Sequence, residues 1–396
     1  MPKLPVKAND TNELGGNPGA WQFSRPDGRL VSAVCRPNPA EDVTLRPGRV
    51  ASAPIFIVGT GRCGTTLLRL ILNRHSRLAV LDESHLFFRM GRYGSLADQR
   101  SVSRFCKDLT VSLRRSSPQS EMALRPAFRS RLAGAASYAQ AIDMTGSYYA
   151  ELEGKSRWGD KTPADVLHLE AIRTLFPNAK IIHMTRDPRA VVRSFIFHAR
   201  NPEFTQRRVY TTARYWAKCE RLAEDFSLRR PRNILRVRYE DLVEQPEQAV
   251  KKICRFVGMD FEAAMLDTAS TARSYAPKTP EGKIMPGHTG LLKRINASRV
   301  TTWREELPPV MVGLIEVAAG RWLEQRNYLR SAREQAPIGA LRLVGLEAIW
   351  RYDELRRVFL LTSRRIFWTA RNLLLYWESC LGRRVLEAGA AAQSHR

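Results

Sequence analysis

The fold is decided by the stretch Pro54-Ile-Phe-Ile-Val-Gly-Thr-Gly-Arg-Cys-Gly-Thr-Thr-Leu-Leu68. A short apolar run, typical of a buried parallel strand, is followed at once by the turn Gly59-Thr-Gly-Arg-Cys-Gly64. Residues 65–73 then carry apolar side chains at helical spacing, and a second apolar run lies at 78–81. A strand, a glycine-rich turn, a helix and a strand in this order begin an α/β sheet.

The same alternation resumes further along the chain. The pattern predicts a strand at 180–184, a strand at 234–238, and helices over roughly 164–176, from Pro188, around 206–229, and from Pro246 to near Gly258. Strands that alternate with helices form a mostly parallel sheet. The predicted fold is therefore α/β, with a mostly parallel central sheet flanked by helices. The spacing of Gly59 and Gly64 between the first strand and helix is that of a nucleotide P-loop, so the expected fold is P-loop-NTPase-like.

The composition narrows the class of protein. Lys and Arg number 64 against 39 Asp and Glu, a net charge of +25, while 44% of the 396 residues are hydrophobic. That apolar content excludes a wholly disordered basic tail, and the charge favours an anionic ligand or surface. Because the basic residues are spread through an α/β pattern and no nucleic-acid-binding motif is visible, a nucleic-acid partner is disfavoured.

The cysteines and termini carry little further signal. No CxxC pair occurs, which favours reduced thiols over a zinc site or a redox dithiol, and no His or carboxylate cluster asks for a metal. Neither a secretory signal nor a membrane-spanning run is visible, so the expected location is cytoplasmic, with a peripheral membrane position as the alternative. The six cysteines are Cys35, Cys63, Cys106, Cys219, Cys254 and Cys380.

The turn at 59–64 has the character of a phosphate cradle. Glycines allow close backbone approach, and the N–H groups and dipole of the following helix favour an anion. The glycine spacing is that of a nucleotide P-loop, but Thr65 stands where an NTPase needs Lys. Arg62 supplies a planar cation instead, and Thr65 and Thr66 add hydroxyls. A tight turn with a capping Thr is the structural alternative.

The stretch Gly59–Leu68 resembles the 5′-phosphosulfate loop of sulfotransferases that use 3′-phosphoadenosine 5′-phosphosulfate (PAPS). The resemblance is strongest to the branch with Arg in this loop, which includes protein-tyrosine sulfotransferases and bacterial relatives. It implies PAPS as co-substrate and no metal. The loop residues that it assigns to the donor are Gly59, Gly61, Arg62, Cys63, Gly64, Thr65 and Thr66.

Three further segments match the family in order. The segment 184–194 implies that Arg186 and Ser194 hold the 3′-phosphate, which agrees with the bidentate chemistry of a guanidinium. Arg238-Tyr-Glu-Asp-Leu242 resembles the strand end beside the adenine, so Tyr239 is a candidate nucleotide contact, with a buried structural aromatic as the alternative. The segment 293–303 resembles a loop that closes over the cofactor and would bring Lys293 to a phosphate.

The resemblance also implies the catalytic groups. In the protein-tyrosine branch a Glu at the position of Glu83 acts as general base. His85 stands where that branch has Arg, and a neutral His could itself take the proton, so both remain candidates. Lys161, in Trp158-Gly-Asp-Lys-Thr-Pro163, would stabilise the charge that develops on the leaving group, together with Arg62.

Three regions follow from these assignments. Residues 1–50, rich in Pro and Gly, read as a partly ordered lead-in, and 51–330 as the sulfotransferase domain, with a helical insertion at 95–150 near the acceptor site. Residues 331–396 read as a basic amphipathic helical extension. It could pack on the domain, mediate self-association, or lie on an anionic membrane.

The sequence does not identify the acceptor substrate. The implied acceptor is a hydroxyl on a carbohydrate, lipid, small molecule or tyrosyl group, and the positive charge favours an acidic one. Two competing functions are a nucleotide kinase or other P-loop NTPase, which Thr65 disfavours, and a non-catalytic protein that binds anions or membranes through its charge.

Overall fold

A computed structural model describes residues 53–87, 99–113, 119–197, 205–268, 295–331 and 339–356. The predicted lead-in at 1–50 lies outside them. Within the described ranges the strands are β1 (Ile55–Gly59), β2 (Leu78–Asp82), β3 (Arg157–Lys161), β4 (Lys180–Thr185) and β5 (Ile234–Arg238).

The helices flank this sheet. They are α1 (Thr65–Asn73), α2 (Gln99–Leu113), α3 (Ser120–Leu124), α4 (Pro126–Ala133), α5 (Tyr138–Leu152), α6 (Leu169–Leu175), α7 (Pro188–Phe197), α8 (Gln206–Arg229), α9 (Tyr239–Glu244), α10 (Pro246–Val257), α11 (Trp303–Glu306), α12 (Pro309–Ala319), α13 (Arg321–Gln325) and α14 (340–356). Short 3₁₀ helices lie at Pro163–His168 and Ala263–Leu266.

All five strands run parallel, in the order β2-β3-β1-β4-β5, which confirms the predicted α/β class. The central strand β1 pairs with β3 on one side, where Phe56 lies opposite Asp160, and with β4 on the other, where Gly59 lies opposite Met184. The chain builds one half of the sheet and then crosses to the other side of β1. Ligands of such sheets bind beyond the carboxyl ends of the strands at this reversal.

Most predicted elements have the expected bounds, and β3 is the exception that sequence patterning missed. The segment Arg157-Trp-Gly-Asp-Lys161 has no apolar run, yet all five of its residues are buried. The Arg157 guanidinium donates to the carbonyls of Ala53 and Val257, which satisfies its polar groups inside the protein. The predicted helix at 164–176 is divided into a 3₁₀ helix and α6.

Two apolar clusters hold the helices in place, the first against the sheet and the second against one another. One joins α1 and α10 to the central strands through residues such as Leu68, Ile182 and Ile253. The other joins α7, α8, α12 and α14, and includes Leu346 and Trp350 of the last helix. Among the helices in the described ranges, none is long and apolar enough to cross a bilayer.

Trp158 anchors the helical insertion to the sheet. Its indole packs edge-on against Phe56 and Phe176, with ring centroids 5.7 and 5.8 Å away. Its Nε1 donates to Asp143 Oδ1 of α5 at 2.8 Å. Helix α5 approaches this closely because it has no side chain at Gly146, where a Cβ would lie 2.1 Å from the indole.

We predict opposite effects for two helical Gly→Ala substitutions. Gly146→Ala should destabilise the protein by about 1–3 kcal/mol, because its methyl group would overlap Trp158. Gly345→Ala in α14 meets no atom within 4 Å and should stabilise by up to about 1 kcal/mol, the ordinary gain in helix propensity. Urea unfolding of the wild type and of both variants measures the change in the free energy of unfolding. Equal effects would contradict this account of the Trp158 contact.

Candidate active site

The loop between β1 and α1 is shaped by backbone that favours glycine. Gly59 and Gly64 have φ of 147° and 92°, and a Cβ would lie 2.3 Å from the Met184 carbonyl oxygen at Gly59 and 2.5 Å from the Tyr239 ring at Gly64. Arg62 also has a positive φ, 69°. Helix α1 begins directly after Gly64, so the N–H groups of its first turn lack acceptors within the helix. The loop can therefore offer main-chain donors to an anion.

Three arginines meet beside this loop. Arg186 donates through Nη1 to the Arg62 carbonyl at 3.2 Å and through Nη2 to the Arg299 carbonyl at 2.6 Å. Arg62 Nε donates to Ser194 Oγ at 3.1 Å. Burial lowers the pKa of Arg62, and the charges of Arg186 and Arg299 lower it further. The repulsion that these charges create would be relieved by a bound anion.

Tyr239 packs against both Arg186 and the β1–α1 loop. The Arg186 guanidinium lies over its ring, 4.2 Å from the centroid, and the same ring packs against Gly64. Tyr239 is almost fully buried. Its contacts with the loop and with Arg186 give it a positioning role, and a direct contact with a nucleotide stays a prediction.

Lys161 joins the loop to the carboxyl end of β2. Its Nζ lies 2.6 Å from Asp82 Oδ1, 2.7 Å from Glu83 Oε1 and 3.5 Å from Thr66 Oγ1. Lys161 is buried, and Asp82 is also held by Arg69, whose Nη1 lies 3.5 Å from Asp82 Oδ2. Two carboxylates thus stabilise a cation that would be costly to bury alone.

Glu83 and His85 lie on one unusual turn. Both are non-glycine residues with positive φ, 43° and 51°. Glu83 N donates to the Lys161 carbonyl at 2.8 Å, and His85 N donates to Thr162 Oγ1 at 3.3 Å. Both side chains are close to half exposed, and His85 Nε2 lies 4.0 Å from Glu83 Oε2. Either group can face a substrate from solvent, so the geometry keeps both as candidate bases.

The structure thus brings most of the predicted site residues together at the carboxyl end of the sheet. Lys293 lies outside the described residues. The Cys63 thiol is buried in the core, where it donates to the Thr60 carbonyl and burial raises its pKa, so only its main chain can face a ligand. The predicted residues gathered around the loop and the ends of the strands are Gly59, Gly61, Arg62, Gly64, Thr65, Thr66, Glu83, His85, Lys161, Arg186, Ser194 and Tyr239.

Sequence reasoning gave no role to two residues that contact this site. Asp82 follows the same apolar run that precedes Glu83, and its position at a strand end was a usable signal. Arg299 lies in the segment 293–303, but its proximity to Arg62 depends on a tertiary contact that no local pattern encodes.

Arg189 has a structural position apart from the site. It is buried between Asp187 and Glu316, with nitrogen–oxygen distances of 2.7 Å to both, and its guanidinium lies 4.0 Å from the centroid of Trp303. Arg189 is therefore not a solvated charge on the face of α7.

The sequence model of the Sulfotransferase family matches residues 54–263, slightly more than half of the chain. The chain belongs to this family, and the predicted sulfotransferase class of enzyme is confirmed. Among the described residues, no group of His, Cys, Asp and Glu is arranged to hold a metal ion.

Individual relatives are more distant. A Caenorhabditis briggsae protein named "Putative protein-tyrosine sulfotransferase" is 25% identical over 227 residues, 54% of this chain and 68% of that protein. A Caenorhabditis elegans protein with the same name is 32% identical over 117 residues, 27% of this chain and 42% of that protein. The solved sulfotransferase domain from the curacin biosynthetic pathway covers 72% of this chain and all of that domain, with 21% identity and a TM-score of 0.49.

We predict that a carboxyl group next to Lys161 makes stability depend on pH. Burial raises the pKa of Asp160 to about 6 from an ordinary value of 3.8, despite a hydrogen bond from Thr162. The folded state therefore retains a proton that the unfolded state loses above pH 4, and the associated stability is lost as the pH rises through 6. Compared with wild type, Asp160→Asn should become relatively more stable between pH 4 and 7.

Urea unfolding of both proteins across this pH range measures the difference in stability, in which carboxyl groups that do not interact with Asp160 cancel. Asp165 contributes to the difference, because Asp160 helps to raise its pKa. A difference that does not vary with pH would show that Asp160 is not protonated in the folded state.

Proposed function

We propose that this protein transfers the sulfuryl group of PAPS to an acceptor hydroxyl, with the donor bound across the loop 59–66 and helix α7. The observation that carries the proposal is the convergence of Arg62, Arg186 and Ser194 beside the start of α1, with Lys161 and Glu83 next to Thr66. Arg62, Arg186 and Ser194 suit a nucleotide that carries phosphate groups at two positions. Lys161 and Glu83 suit a transfer reaction at one of these phosphate groups.

The donor would contact the protein at both ends. The 5′-phosphosulfate would lie against the main-chain N–H groups of the loop and the hydroxyls of Thr65 and Thr66, with Arg62 as the nearest cation. Arg186 and Ser194 would hold the 3′-phosphate, and Tyr239 would keep Arg186 in place. Lys293 stays part of the proposal as a residue of a loop that closes over the donor.

The chemistry needs a base and a cation. A bond forms between the acceptor oxygen and sulfur while the bond from sulfur to the bridging oxygen breaks, and the nucleotide leaves as 3′-phosphoadenosine 5′-phosphate (PAP). Glu83 would take the acceptor proton, with His85 as the alternative. Lys161 would donate a hydrogen bond to the oxygen that becomes negative, and Arg62 would share that charge.

The acceptor class is the least constrained part of the proposal. A carbohydrate, lipid, small-molecule or tyrosyl hydroxyl would each suit the chemistry, and the net charge of +25 favours an acidic acceptor. The names of the two Caenorhabditis relatives favour testing a tyrosyl peptide with acidic neighbours first. A cytoplasmic location likewise stays a prediction.

We expect PAP to bind more tightly than ATP, because the site is arranged for a 3′-phosphate and lacks the P-loop Lys. Isothermal titration calorimetry measures both ligands. Ser194→Ala should weaken PAP binding by about 5- to 10-fold and Arg186→Ala by about 100-fold or more, as expected for a lost hydroxyl and a lost charged donor.

Arg193→Ala is the matched control. Arg193 precedes Ser194 on α7, and its guanidinium is paired with Glu306 and lies over Phe197. Its removal should leave PAP binding unchanged. Equal affinities for PAP and ATP in the wild type would overturn the assignment of the donor.

We predict that Glu83→Gln lowers the rate of sulfuryl transfer by about 100-fold or more while PAP binding is retained, because an amide cannot take the acceptor proton. His85→Asn on the same turn is the matched comparison and should lower the rate by less than about 10-fold. Transfer of radiolabelled sulfate from PAPS to a panel of acceptors, led by an acidic tyrosyl peptide, gives the rates. A larger loss in His85→Asn would assign the base to His85.

A further inference from the structure

Helix α14 is fixed to the domain along one face. Leu346 and Trp350 are buried against α8. The acidic residues of α14 point the same way: Glu347 lies 3.2 Å from Arg214, Asp353 lies 3.1 Å from Arg207, and Glu354 pairs with Lys218. These contacts settle the rotation of α14 about its axis.

The opposite face of α14 is apolar and exposed. Leu341, Val344, Tyr352 and Leu355 are 91%, 67%, 65% and 70% exposed. Their spacing in multiples of three and four residues places them on one side of the helix, with the exposed Gly345 and Ala348 between them. Large apolar side chains that share one exposed helix face are unusual on a monomeric surface and indicate a partner.

The charges next to this face have one sign. Arg342 and Arg356 border the apolar stripe on one side, as their helical positions require. Arg351 borders it on the other, and its Nε lies 3.0 Å from Glu347 Oε1 one turn earlier, so the unbalanced positive charge comes mainly from Arg342 and Arg356. All three are exposed. Because the acidic residues of the helix pair with α8, the outer face of α14 combines apolar side chains with a basic border.

We propose that the outer face of α14 docks the enzyme on a membrane surface that contains anionic lipid. Such a surface offers apolar chains at the headgroup boundary for the exposed stripe and phosphate groups for the bordering arginines. The helix would lie parallel to the membrane plane, since its inner face remains packed on α8.

The positive charge beside the apolar face favours an anionic membrane over a second copy of the chain as the partner of α14. If two such faces paired about a two-fold axis, the basic border of one helix would lie beside the basic border of the other. Like charges brought together at an interface oppose association, and α14 has no acidic residue on its outer face to offset them. An anionic lipid surface complements both features of the face.

Cosedimentation of the full chain with lipid vesicles tests the proposal. The vesicles contain phosphatidylcholine alone, or phosphatidylcholine with about one quarter phosphatidylserine. The wild type should bind the anionic vesicles, bind the neutral ones weakly, and lose binding as salt is raised. The double variants Leu341→Gln/Leu355→Gln and Arg342→Gln/Arg356→Gln should each reduce the partition coefficient by about 10-fold or more.

Leu228→Gln/Leu329→Gln is the matched control, because these two leucines are 74% and 84% exposed elsewhere on the surface. It should bind like the wild type, and thermal unfolding establishes that all variants are folded. Vesicle binding that is absent in the wild type, or unchanged in both α14 variants, would overturn the proposal. So would a dimer in analytical ultracentrifugation that Leu341→Gln/Leu355→Gln dissociates, since the face would then be occupied by a second copy.

Discussion

The close packing of the β1–α1 loop is the constraint on which the rest of the site depends. At Gly59 and Gly64 the backbone leaves no room for a side chain, because the Met184 carbonyl and the Tyr239 ring occupy that space. Two parts of the chain that are distant in sequence, the end of β4 and the start of α9, are thereby brought into contact with one turn. The carbonyl of Arg62 can then accept from Arg186, and the Arg62 side chain can reach Ser194. A larger residue at either glycine would separate the loop from the segment that carries Arg186 and Ser194.

At the carboxyl end of the sheet, a cluster of arginines and a lysine paired with carboxylates occupy separate positions, which suits group transfer. Arg62, Arg186 and Arg299 gather where the donor would bind under the proposed function, whereas Lys161 lies between Asp82 and Glu83. The buried Asp82, held by Arg69, fixes one side of the ammonium group. Glu83 also contacts Lys161, but half of its side chain is exposed to solvent. Asp82 is therefore a buried partner of Lys161, and Glu83 is the partner that would act as the base under the proposed function.

Local sequence patterns predicted those elements of the fold whose structure depends mainly on residues close in sequence. The first strand, its glycine-rich turn and α1 have strong patterns, and the family resemblance pointed to Arg62, Arg186 and Ser194, which the structure places next to one another. The strand β3 could not, because Arg157 and Lys161 are buried through contacts with distant carbonyls and carboxylates. The proximity of Arg299 and the burial of Arg189 between two acids depend on the same kind of tertiary contact. The direction in which Cys63 points depends on loop backbone angles that composition does not specify.

The order of the strands has a consequence for how the chain folds during synthesis. β1 is made first but lies in the middle of the sheet, where Ile55 pairs with Gly159 on one side and with Lys180 on the other. Its backbone cannot complete the ladder with β3 until the ribosome has passed Lys161, or the ladder with β4 until it has passed Thr185, and such long-range parallel pairing is slow. An apolar strand with two unpaired edges is prone to associate with other chains meanwhile. Newly made chains should therefore depend on chaperones more than their final stability would suggest.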